Sequence, residues 1–238
     1  MIDLARASDP ALLRLLSKHP RVRAVEDDGG GPGIRFRTGV WEREALAGDA
    51  TAPLRGLVEL MDNNPLVCAD RASVPSPTGT LALIALGPVL NSGLVTETPA
   101  FVSDLPTVDL DPWLGTVGWA GGCVVSSEPS GTHGVGVAMV EIPSSNDPDE
   151  IDELYEERFG RSFYVHRDED SEWSSELVAN TPNAVYRLRV TPDEPVSLLS
   201  IRVLADPRGK LGAAQVIHLM NVMAGYEESL GLEDYSGL

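Results

Sequence analysis

Lys210 is one of only two lysines in the chain, the other being Lys18, and with Gly209 it opens the last apolar helical pattern. An ammonium beside the free N–H groups of a helix start is a site for a phosphate or carboxylate. The bland alternative is a plain helix start with a solvated amine. A second start, Ser76-Pro77-Thr78-Gly79-Thr80, opens the apolar run that ends at Leu90. The hydroxyls of Ser76, Thr78 and Thr80 are donors suited to an oxyanion, although Ser76 before Pro77 also reads as an ordinary cap. Should the two helix starts face one pocket, they would form an anion-binding cleft. Cys68 lies near Asn64-Pro65 inside an apolar strand pattern, which predicts a buried core thiol rather than a nucleophile. The histidines at 19, 133, 166 and 218 show no metal-ligand spacing, so no metal is expected.

These residues need elements to position them. Asp9 caps a short helix to Lys18, with Pro10 at its first position, and a strand Val22–Val25 follows. Asp27–Gly33 reads as a loop, Ile34–Arg37 as a strand, Pro53–Met61 as a second helix and Pro65–Ala69 as a short buried strand. The run Thr78–Leu90 is apolar on every side, so that helix is buried on most faces. Strands are expected at Thr116–Ser126, Gly134–Ile142, Ser162–His166, Ala184–Val190 and Val196–Leu204, several alternating apolar with polar as an antiparallel sheet does. Between them an amphipathic helix spans Asp147–Phe159, with Asp147 and Glu150 as a capping box. Its glutamates read as a solvated face. A helix-rich first third before clustered strands predicts an α+β fold.

Composition narrows the function classes. With 18 basic and 36 acidic residues the net charge is −18, which excludes nucleic acid and anionic membrane as partners. No run of about 18 apolar residues exists to span a membrane. Two cysteines, Cys68 and Cys123, and no basic-then-apolar leader fit a reducing cytoplasm.

The closing stretch Asp206–Leu232, DPRGKLGAAQVIHLMNVMAGYEESLGL, resembles the last helix of N-acetyl-γ-glutamyl-phosphate reductases, relatives of aspartate-semialdehyde dehydrogenases. Asp206, Lys210, Ala213, Gln215, Met220, Asn221, Gly225, Gly231 and Leu232 carry the likeness. Asp149–Tyr164 is similar to the family's Leu-Tyr-Glu-Glu helix and edge strand. Val178–Val190 is similar to its substrate loop, through Val178, Thr181 and Val190. The resemblance implies a glyceraldehyde-3-phosphate-dehydrogenase-like dimerisation and substrate domain at 73–238, mostly antiparallel. A vestigial nucleotide-binding-like region would occupy 1–72, with the helix 209–224 packing back on it. It places Lys210 and Thr181 at the substrate pocket and makes His133 a retained acid/base group, the alternative being a surface turn histidine.

The same comparison shows what is missing. The family cradles NADP phosphates on a glycine-rich turn before the first helix, whereas Ile2–Asp9 contains no glycine. Its Cys nucleophile, set after Asn-Pro at a helix mouth, is replaced by Ser76 or Pro77 in SVPSPTGT. Its histidine before the strand Gly134–Ile142 is replaced by Ser127 or Glu128, and its Asn after the Asp by Pro207. The chain is therefore expected to bind no cofactor and to act without redox chemistry, as a homodimer or beside an active paralogue. Two alternatives stand. One is altered chemistry on a small anionic metabolite, using His133, Ser76 or Thr78, and Lys210. The other is an NADP-dependent reductase with Cys68 as a displaced nucleophile.

Overall fold

A computed structural model describes residues 1–128, 133–144, 148–232 and 235. It is a mixed α/β structure holding, among these residues, two six-stranded sheets and six α-helices. The first sheet has the order β2-β1-β3-β4-β6-β5, from β1 (Leu4–Ala7), β2 (Val25–Asp27), β3 (Gly33–Thr38), β4 (Trp41–Ala47), β5 (Leu54–Arg55) and β6 (Arg71–Val74). Strands β1 and β2 run parallel on either side of α1 (Pro10–Lys18), which starts where Asp9 accepts from the N–H groups of Ala11 and Leu12. Leu12, Leu15 and Leu16 bury one stripe of α1 beneath the sheet, beside Ile2, Ala5, Ile34 and Phe36.

The second sheet has the order β10-β11-β12-β9-β7-β8, from β7 (Ala100–Ser103), β8 (Val124–Ser127), β9 (Gly134–Pro143), β10 (Val165–Arg167), β11 (Ala184–Thr191) and β12 (Val196–Ala205). Its centre is antiparallel, and only the outer pairs β10–β11 and β7–β8 are parallel. The inward residues Ala138, Val140, Leu199, Ile201 and Val203 pack on α3 (Pro77–Asn91), whose residues from Thr78 to Leu90 are all buried. The amphipathic α5 (Pro148–Phe159) adds Ile151, Tyr155 and Phe159, and the Tyr155 hydroxyl donates to the Ala85 carbonyl. The cap expected at Asp147 lies outside the described residues. The last helix, α6 (Ala214–Ala224), is buried against β4, β6 and α1.

Several expected elements change. Pro53–Met61 is not a helix: it forms β5 and a 3₁₀ turn at Val58–Leu60, because Gly56 takes φ +148°, where a helix cannot continue. Pro65–Ala69 is not a strand, since Pro65 suits the first turn of a short helix, α2 (Asn63–Val67). The expected strand Thr116–Ser126 shrinks to β8, because Gly118 and Gly122 adopt left-handed φ values of +83° and +72°. A short α4 (Asp111–Leu114) precedes this stretch. Strand β4 reads WEREALA, a helix-forming composition. Pairing with β3 on one side and β6 on the other overrides that preference.

Candidate functional site

Lys210 lies in a π-type turn, Gly209–Ala213, between β12 and α6. Asp206 builds this turn. One carboxylate oxygen accepts from the N–H groups of Arg208 and Gly209, and the other accepts from Asn180 N at 2.6 Å. Gly209 is required there: a Cβ would stand 1.9 Å from the Thr181 carbonyl oxygen. The Thr181 backbone is therefore next to the turn. Its hydroxyl, however, donates to Val178 O and accepts from Asn183 N.

The Lys210 side chain is 1% exposed and its Nζ is 2.5 Å from Oε1 of Glu59, whose side chain is also buried and which lies on the 3₁₀ turn Val58–Leu60. The amine lies 5.6 Å from the Tyr164 ring centre, with that ring edge-on to His218. His218 Nε2 is 2.8 Å from Glu228 Oε2, and its Nδ1 faces Glu59 Oε1 at 3.8 Å. Burial alone would push the Glu59 carboxyl up. Lys210 and His218 outweigh it and hold the acid below the usual range. The His218 hydrogen bond likewise lowers Glu228. Asn221 donates to the carbonyls of Glu228 and Leu230 and accepts from His19. The amine that the sequence offers as an anion site is thus engaged by a buried carboxylate of the chain itself.

The other helix start is also internally engaged. Ser76 Oγ accepts from Gly79 N, Thr78 Oγ1 donates to Pro106 O, and Thr80 Oγ1 donates to Ser76 O while accepting from Gln215 Nε2. The Gln215 bond joins α6 to α3, so the two helix starts do meet, but through a protein hydrogen bond. Lys210, Ser76, Thr78 and Thr80 line none of four surface concavities, which lie on the two sheets and beside Leu57–Met61.

His133 is exposed immediately before β9, whose first residue, Gly134, faces Ala205 at the end of β12. The neighbouring Gly131 and Thr132 lie outside the described residues. Ser127 Oγ donates to Leu105 O, and Glu128 is exposed. Cys68 is exposed rather than buried, because its segment is the carboxyl end of α2 and not a strand. That end of a helix is the opposite of the one that favours an anion. Burial and Asp111 push the Cys123 thiol up to about 11. Among the described residues no group of His, Cys, Asp and Glu forms a metal site.

Glu59, His218 and Glu228 escaped the sequence reading. The only available signal was Glu59, a lone charge in the apolar run Gly56–Met61.

No family model matches the chain, and no curated protein matches it. Solved structures do. The chain is similar to aspartate semialdehyde dehydrogenase II from Vibrio cholerae, with a TM-score of 0.62, 11% identity, and coverage of 94% of this chain and 99% of that one. The same enzyme complexed with ASA gives a TM-score of 0.61, 10% identity and coverage of 94% and 97%. At this identity the likeness defines the fold: a semialdehyde-dehydrogenase-like architecture over most of the chain. No described helix is long and apolar enough to cross a membrane.

Proposed function

We propose that this chain is a semialdehyde-dehydrogenase-like protein of amino-acid-type metabolism that has lost NADP-dependent acyl-phosphate reduction. It acts as a non-redox dimeric or partner subunit. The observation that carries this reading is Asp9. In the unit β1–α1–β2, the first N–H groups of α1 are where a cofactor pyrophosphate would be cradled. Here the Asp9 carboxylate accepts from Ala11 N at 2.7 Å and Leu12 N at 3.1 Å. A cofactor phosphate would have to displace an anion of the protein itself. The cap at Ser76 in place of a thiol at the mouth of α3 and the Lys210–Glu59 pair support the same reading.

The division into a reduced region at 1–72 and a substrate-type domain at 73–238 belongs to this proposal. So does the partner. The outward side of β9, β7 and β8 presents Val137, Met139, Val102 and Val124, the last 63% exposed. That apolar half of the sheet is the surface a second copy or an active relative would cover. Titration with NADPH tests the central reading, and micromolar binding would overturn it.

A further inference from the structure

The outward sides of the two sheets treat arginine differently. Across the first sheet, register aligns Glu26, Arg6, Arg35, Glu44 and Arg71 in one row. Arg6 pairs with Glu26 at 2.9 Å, while Arg35 and Arg71 share Glu44 at 3.3 and 3.5 Å. The adjacent like charges Arg6 and Arg35 are thus each neutralised. On the second sheet Arg187 and Arg202 also face each other, with Arg189 opposite Ser200 two pairs further along, on the same side. Arg187 is fixed by Asp168 at 2.7 Å and by the Trp173 ring at 4.8 Å. Arg189 and Arg202 make no hydrogen bond or ion pair among the described residues. They line a concavity of about 340 Å³ together with Arg187, Leu188, Thr191 and Ser200, and no acidic residue lines it.

Like charges placed directly across antiparallel strands are destabilising. A chain with twice as many acidic as basic residues has carboxylates to spare, yet the one carboxylate here, Asp168, goes to Arg187, and among the described residues none pairs with Arg189 or Arg202. Arg189 and Arg202 are diagonal neighbours on antiparallel strands, a relation that sets such residues about 7–8 Å apart. From neighbouring strands Arg189 and Arg202 line one concavity, with the hydroxyl residues Ser200 and Thr191 beside them. Planar guanidinium forks match the paired oxygens of a phosphate.

We propose that Arg189 and Arg202, backed by the hydroxyls of Ser200 and Thr191, bind a phosphate-type dianion on the outer side of β11 and β12. This inference is independent of the proposed loss of reduction and lies beside, not on, the apolar half of the sheet.

The test is calorimetric titration of the full chain with inorganic phosphate at low salt, in parallel with light scattering. Saturable binding is expected, weakened at least tenfold in Arg189→Gln/Arg202→Gln and by less than twofold in Arg37→Gln. Arg37 is an arginine of the first sheet that is equally unpaired among the described residues. The single variants Arg189→Gln and Arg202→Gln, each expected to weaken binding at least threefold, carry the test if the double variant misfolds. Absence of saturable binding overturns the proposal, as does equal weakening by Arg37→Gln. A double variant that turns a dimer into a monomer while binding phosphate normally also overturns it, assigning the arginines to a second copy instead.

Discussion

The Lys210 ammonium lies 2.5 Å from Oε1 of Glu59, 151 residues away in sequence, with the two side chains 1% and 3% exposed. This buried pair links the turn before α6 to the 3₁₀ turn that precedes α2. Removing one partner strands a charge in the interior, which costs about 3–5 kcal/mol. Lys210→Met should therefore lower unfolding stability by that amount in urea titration, and Lys210→Met/Glu59→Leu should recover most of it. A single variant as stable as the parent would show that the pair contributes nothing.

Acid should unfold the protein partly through the same cluster. Glu59 and Glu228 both titrate below their ordinary range in the folded chain. Their stabilisation is complete above the unfolded carboxyl value of about 4.3 and is lost as pH falls through the lower folded values. Stability measured from pH 6 to pH 3 should fall steeply in the parent. The slope should be shallower in Lys210→Met/Glu59→Leu.

His19 should act in a higher window. Its Nδ1 accepts from Arg21 N at 3.2 Å, so Nε2 carries the proton and donates to Asn221 Oδ1 at 2.9 Å. Burial lowers its pKa. A histidine depressed in the folded state binds protons more readily when unfolded, so stability declines as pH drops below about 6.5. His19→Gln should flatten that part of the profile, between pH 7 and 5.

Asp9 makes two predictions that separate folding from function. Asp9→Ala should cost about 1 kcal/mol through loss of the cap of α1, read as a lower urea midpoint. The parent chain should give no heat with NADPH.

Cys68 and Cys123 should differ in reactivity. Cys68 is exposed, whereas the Cys123 thiol is pushed up to about 11. Iodoacetamide at pH 8 should modify Cys68 first, as peptide mass mapping would show. Equal rates would contradict the described environments.

Much of this protein was legible as local pattern. The alternation of β9, β11 and β12, the stripe of α1 and the apolar wall of α3 lie where periodicity puts them, because each element's buried side is written in its own residues. The absence of a glycine turn before α1, and of a thiol at the mouth of α3, is likewise read directly from residue types. Position within an element is harder to read. The apolar residues around Cys68 suit a short helix as well as a strand, and the choice of helix exposes the thiol. Strand β4 exists because β3 and β6 flank it, which its Glu- and Ala-rich composition does not announce. The partner of Lys210 is decided by tertiary structure alone. A sequence shows that a lysine stands at a helix start, but whether that charge meets a ligand or a carboxylate depends on which distant segment folds against it. Here that segment brings Glu59.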